Sequence, residues 1–189
     1  MKALTLTPPW GNCIALYNKD IENRTWVPPS TLLGQTFAIH QGKAWTPAVR
    51  QEVEAVAEWL GDDLVHGPLQ VERQHYKQGV VALARFVGVV DARPKSERIS
   101  GPGVYVVHEA AEGDPVSFEM AVGGAPSRGD ASAWAYAAVN SRWWIGPVGW
   151  LLADVRRVAP VIECSGAQGL WTLPEDVEAE LRRRGLVPA

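Results

Sequence analysis

Between positions 18 and 27 the chain reads Asn-Lys-Asp-Ile-Glu-Asn-Arg-Thr-Trp-Val, the densest mixture of charges beside a strand-like run in the sequence. Three of its side chains suit the recognition of a nucleotide. The Arg24 guanidinium can hold a phosphate or carboxylate with two parallel hydrogen bonds, the Glu22 carboxylate can accept from an exocyclic amine, and the Trp26 indole can stack on a base. If residues 21–27 are extended, Ile21, Asn23 and Thr25 share one face and Glu22, Arg24 and Trp26 share the other. Lys19 then stands in the turn before the strand. The plain alternative is a same-face Glu22–Arg24 ion pair on a solvated strand, which contributes little energy in either direction.

Other residues extend this candidate site. Trp10 is a second stacking platform, and His40 with Lys43 follows a second strand-like run. Were the site catalytic, Lys19 beside Glu22 would hold the carboxylate ionised as a general base for water. Lys43 or His40 would then donate to a developing oxyanion. No metal site is expected, because His66, His75 and His108 are scattered without a carboxylate at ligand spacing. Cys13 and Cys164 are too few for a disulfide framework and read as reduced thiols. There is no nucleophile elbow, phosphate loop or dinucleotide glycine pattern, so no cofactor is expected.

The elements that must position these groups are marked by local signals. Residues 2–6 alternate as a strand does, and Pro8-Pro9 ends it and opens a helix whose Trp10, Ile14 and Tyr17 share a face. Residues 21–27 and 34–40 read as strands separated by Pro28-Pro29-Ser30. Thr46-Pro47 caps a second helix, with Val49, Val53, Val56 and Leu60 as its buried stripe and Gly61 as its stop. Residues 79–91 are nearly continuous in apolar, β-branched character and form the expected central strand. From about 92 to 143 the sequence turns rich in Gly, Pro and charge, interrupted by strand-like patches at 104–107 and around Phe118. Residues 148–162 resume strand character. Residues 174–185 form a helix with acids first, bases last and glycine after the end, which makes Arg182, Arg183 and Arg184 partners of the helix dipole.

The 189 residues, 47% hydrophobic and 21% charged, are enough for one globular domain with a real core. A formal net charge of −3 argues against coating long nucleic acid by counterion release, so any such contact is local. The nine tryptophans suit base stacking as well as packing. No signal-peptide core and no run of ~20 apolar residues is present, which points to the cytoplasm and away from the membrane.

Lys19, Glu22 and Arg24 resemble the Gly-x-Lys-x-x-Glu-x-Arg signature of the ASCH domain, a member of the PUA-like superfamily, with Tyr17 where that glycine would stand. Leu4 and Leu6 followed by Pro9-Trp10, the run from Ile39 to Lys43, Val87 to Val90, Gly149-Trp150 with Leu152, and Gly166 to Trp171 are similar to further segments of that family. The resemblance implies a single domain over residues 1–189, with an insertion at about 92–143. It implies a mixed α+β fold, a small, partly open β-barrel with helices packed on it and an inserted loop-rich excursion. It also implies a polar cleft lined by the signature residues that binds RNA or a modified nucleobase. The expected ligand is RNA or a nucleotide, with DNA not excluded, held by Trp10, Lys19, Glu22, Arg24, Trp26, His40 and Lys43. The alternatives are a hydrolase of N4-acylated cytidine or of RNA, with Lys19 and Glu22 catalytic, and a protein-interaction module whose contact surface is the 92–143 excursion with its Trp143-Trp144 pair. The acylcytidine-hydrolysing branch carries a threonine where this chain has Glu22, so its catalytic assignment does not transfer. No obligate protein partner is inferred.

Overall fold

The computed structural model describes residues 1–63, 66–69, 76–97, 104–107, 118–120 and 140–188. In chain order the elements are β1 (Lys2–Leu6), α1 (Trp10–Leu16), β2 (Ile21–Arg24), β3 (Thr36–Gln41), α2 (Pro47–Leu60) and β4 (Gly79–Asp91). They continue with β5 (Val104–Val107), β6 (Phe118–Met120), β7 (Val148–Glu163), β8 (Leu170–Thr172) and α3 (Glu175–Arg183). The fold is mixed α+β, a curled, partly open half-barrel of strands accompanied by helices, as the sequence predicts. Among the described residues no helix is long and apolar enough to cross a membrane. Of the excursion expected at about 92–143, residues 98–103, 108–117 and 121–139 lie outside the described residues, as do His75 and His108.

The chain divides into two compact units: Met1–Lys19, Thr36–Ala84 and Asp154–Ala189 form one, and Asp20–Gln35 with Arg85–Ala153 forms the other. β4 and β7 each contribute strand to both.

In the first unit β1 is flanked by β3, parallel through Leu4↔Ile39, and by β8, antiparallel through Leu4↔Leu170. Being central, β1 is buried on both faces at Ala3 and Leu4. Leu83, Val80, Ala38 and Val158 pack with Val177 and Leu181 of α3 into one apolar cluster. The local signals for both longer helices hold. Thr46 Oγ1 accepts from Val49 N at 3.2 Å, and Gly61 adopts φ +68 to end α2. In α3 the acids open the helix, and Arg182 pairs with Glu178 while Arg183 and Arg184 pair with Glu180. Arg184 reaches outside the helix as well, donating to the Pro160 carbonyl.

In the second unit β2 runs antiparallel to β7 in the register Ile21↔Leu151, Glu22↔Trp150, Asn23↔Gly149 and Arg24↔Val148. β5 lies parallel to β4 and β6 antiparallel to β5. The strand expected over 21–27 stops at Arg24, whose partner Val148 is the first residue of β7, so no strand lies beyond it to pair with. The strand expected over 34–40 is displaced to 36–41, because Gly34, at φ +76, turns to donate its N–H to the Phe86 carbonyl. α1 ends at Leu16, leaving Tyr17 as its cap rather than as a helical position.

Candidate functional site

The second unit gathers Glu22, Arg24 and Trp26. Glu22 Oε1 lies 3.1 Å from Arg24 Nε, with the glutamate side chain 7% exposed and the arginine 25%. These two residues project from the same face of β2, as alternation requires. Trp150, directly opposite Glu22 in the register and fully buried, projects to that face too, because opposed antiparallel residues share a side. Its indole meets Trp26 edge-on at 4.7 Å and Phe86 at 5.8 Å, and its Nε1–H donates to the Trp26 carbonyl at 3.0 Å. Trp26 is thus fixed through both ring and backbone while staying only half-buried.

The other face of β2 serves as an anchor. Asn23 Nδ2 donates to the Trp143 carbonyl at 2.8 Å, and its Oδ1 accepts from Ile145 N at 3.0 Å. Asp20 Oδ1 accepts from Ser141 Oγ at 3.3 Å. Gly149 sits beneath the Trp144 ring, where a Cβ would come within 2.6 Å of Trp144 Cζ3 and 2.8 Å of Ile21 Cγ2. Trp143 is buried, so the tryptophan pair expected as a contact surface presents only Trp144, half-buried, and its neighbour Ile145, 69% exposed.

The first unit brings together Lys19 and Trp10. Lys19 is 1% exposed, and its Nζ lies 5.6 Å from the Trp10 ring centroid, a cation–π arrangement. Trp10 Nε1 donates to Glu52 Oε1 at 3.0 Å, which fixes the ring. His40 is fully buried, with Nε2 donating to the Cys164 carbonyl at 3.1 Å and its ring edge-on to Trp171 at 5.5 Å. Burial holds its pKa below the ordinary histidine value, offset in part by that hydrogen bond. Lys43, just beyond β3, is exposed. Both cysteines are free; Cys13 is buried and Cys164 half-buried, and burial pushes the Cys164 thiol up.

A cavity of about 500 Å³ opens within the first unit among α1, the turn at 66–68 and residues 157–161 of β7. None of the residues predicted for the site lines it. Sequence reasoning also missed Trp150, whose position opposite Glu22 depends on a strand register, and Asn23, whose role depends on a loop more than a hundred residues downstream. Another unforeseen cluster joins Tyr17 and Tyr76 to Asp62. Burial is the main reason both phenols stand above their ordinary pKa, and the Asp62 carboxylate nearby adds to it at each. Among the described residues no group of three or more His, Cys, Asp or Glu side chains is arranged to hold a metal ion. No family model matches the chain, and no curated protein matches it.

Proposed function

We propose that the chain binds RNA or a nucleotide, plain or carrying a modified base, through the residues of its Lys-x-x-Glu-x-Arg stretch. The observation that carries this reading is the Glu22–Arg24 pair: a carboxylate almost removed from water, held at 3.1 Å by a guanidinium that keeps a quarter of its surface open. Ion pairs taken out of water are poor sources of stability, so a site that uses the charges is the better account of their retention. In this reading the open side of Arg24 takes a phosphate or a base edge, Glu22 accepts from an exocyclic amine, and Trp26 supplies a ring face. In the first unit Lys19 stands against the Trp10 ring, and the exposed Lys43 suits a backbone phosphate. Two free thiols fit the reducing conditions of the cytoplasm, where we place the protein.

The test is to incubate the pure protein with a panel of nucleosides, N4-acylated cytidine, short RNAs and short DNAs, recording both retention and mass change. Saturable retention without mass change, lost in Arg24→Ala, is the expected result. A lost acyl group or a cleaved strand, abolished by Glu22→Gln with the fold intact, would replace binding by the hydrolase reading in which Lys19 supports Glu22 as base. Retention of nothing in the panel would leave the nucleotide reading without support.

A further inference from the structure

The cavity of the first unit has the build of a second ligand site, separate from the signature residues. Its volume of about 500 Å³ falls within the range of small-molecule pockets. Its apolar side is formed by Ala15 and Leu16 of α1 and Val81 of β4, the valine being almost fully buried. Its polar groups are the Asn12 carboxamide, the His66 imidazole and the Arg157 guanidinium, and no carboxylate lines it among the described residues. An apolar face beside the permanent cation of Arg157, with the Asp63 carboxylate engaged by His66, favours a ligand that is apolar at one end and anionic at the other.

The walls are braced from behind, so the pocket does not depend on a ligand to form. Asp63 Oδ1 accepts from His66 N at 3.2 Å, Asp63 O accepts from Gly67 N at 2.7 Å, and Asp62 Oδ2 accepts from Leu69 N at 2.8 Å. Gly67 is packed so closely that a Cβ would stand 2.2 Å from Asp62 Oδ1 and 2.5 Å from the Asp63 carbonyl. The His66 ring is oriented by its Nδ1–H, which donates to Asp63 Oδ2 at 3.1 Å and leaves Nε2 as an acceptor. On the opposite wall, the Pro160 carbonyl accepts from Arg184 Nη1, which ties this stretch of β7 to the residue after α3. Preorganised walls reduce the ordering cost that binding must overcome.

We infer that this cavity binds a small molecule with an apolar body of about one ring and a single carboxylate or phosphate group, the anion meeting Arg157. Asn12 is placed to read a hydroxyl or amide on the same ligand. The experiment is isothermal titration calorimetry of the full chain with phenyl phosphate, benzoate, inorganic phosphate and benzyl alcohol. Either aryl anion, or both, should bind saturably at one site, about tenfold or more tighter than inorganic phosphate and benzyl alcohol, because each probe of the second pair lacks one half of the recognition. Arg157→Ala and Asn12→Asp should each weaken that binding by about tenfold, while Lys77→Ala, which removes an exposed cation elsewhere, should not. Leu16→Trp, used with a melting curve to confirm folding, should close the pocket and abolish binding. The inference is overturned if neither aryl anion saturates, if inorganic phosphate or benzyl alcohol binds as well as they do, or if Arg157→Ala leaves binding unchanged.

Discussion

Two strands of this molecule carry consecutive polar side chains, and they treat them in opposite ways. On β2 every polar group has been given work on its own face: Glu22 with Arg24 on one side, Asn23 with the 143–145 backbone on the other. At the end of β3, His40 and Gln41 are both fully buried, yet His40 Nδ1 and both amide atoms of Gln41 lack a hydrogen-bonding partner among the described residues. The Gln41 carboxamide fills the space that a side chain at Gly11 would need, with Oε1 2.2 Å from the position of a Cβ there. The difference separates polarity that organises a surface from polarity that fills a core. The first should be costly to remove, and the second nearly free.

The largest effect belongs to Asn23. Asn23→Ala strips the partner from a backbone carbonyl and a backbone N–H at once, so it should destabilise by about 2 kcal/mol, read as a lower urea midpoint at unchanged slope. A midpoint within error of the parent would show that the 143–145 loop does not need its anchor, and the contrast between the strands would fail. Glu22→Gln comes next. It keeps a hydrogen-bond acceptor for Arg24 but removes the charge, and because Arg24 is a quarter exposed the stability cost should stay at about 1 kcal/mol or less. Its main effect should fall on ligand, with nucleotide retention weakened about tenfold. A large loss of stability with retention intact would make the pair a structural device rather than a recognition element.

The sequence made these strands legible to different depths. β1, β4, α2 and α3 are readable because their signals are local: alternation, a continuous apolar run, Thr46 before Pro47, acids before bases. β8 is not, since three residues, Leu170 to Thr172, become a strand only by pairing with Lys2 to Leu4. The pairing of Glu22 with Arg24 follows from alternation alone. That Trp150 lies opposite Glu22, or that β2 stops at Arg24 where its partner strand begins, is a matter of register and cannot be read from either segment in isolation. The cavity was invisible for the same reason. Asn12, His66 and Arg157 form no motif, and tertiary packing alone makes them neighbours.

Gln41→Met sharpens the comparison from the other strand. The thioether has nearly the shape of the carboxamide but no buried donor or acceptor to leave unmet, so the variant should match the parent or gain up to about 1 kcal/mol. The check is the same urea titration used for Asn23→Ala. A loss above about 1 kcal/mol would mean that the amide is satisfied by ordered water, which would place Gln41 with Asn23 rather than apart from it.

The smallest expected effect is the pH response of His40, and its sign follows from the same burial. With Nε2–H donating to the Cys164 carbonyl, Nδ1 is a bare acceptor facing Gly166, close enough that a Cβ there would lie 2.6 Å away, with Thr5 Oγ1 also bordering that space. Burial lowers the folded-state pKa below the ordinary value of 6.5, so the unfolded chain takes up the proton first as pH falls. His40 therefore contributes stability in full above about pH 6.5, and that contribution is lost as the pH drops from there toward the folded-state value. The urea midpoint should decline between about pH 7 and pH 5, and His40→Gln, which cannot titrate, should show a shallower decline over the same interval. Equal slopes in parent and variant would mean that the His40 ring takes its proton as readily inside the fold as outside it, and the distinction drawn between the tail of β3 and the two faces of β2 would lose its electrostatic half.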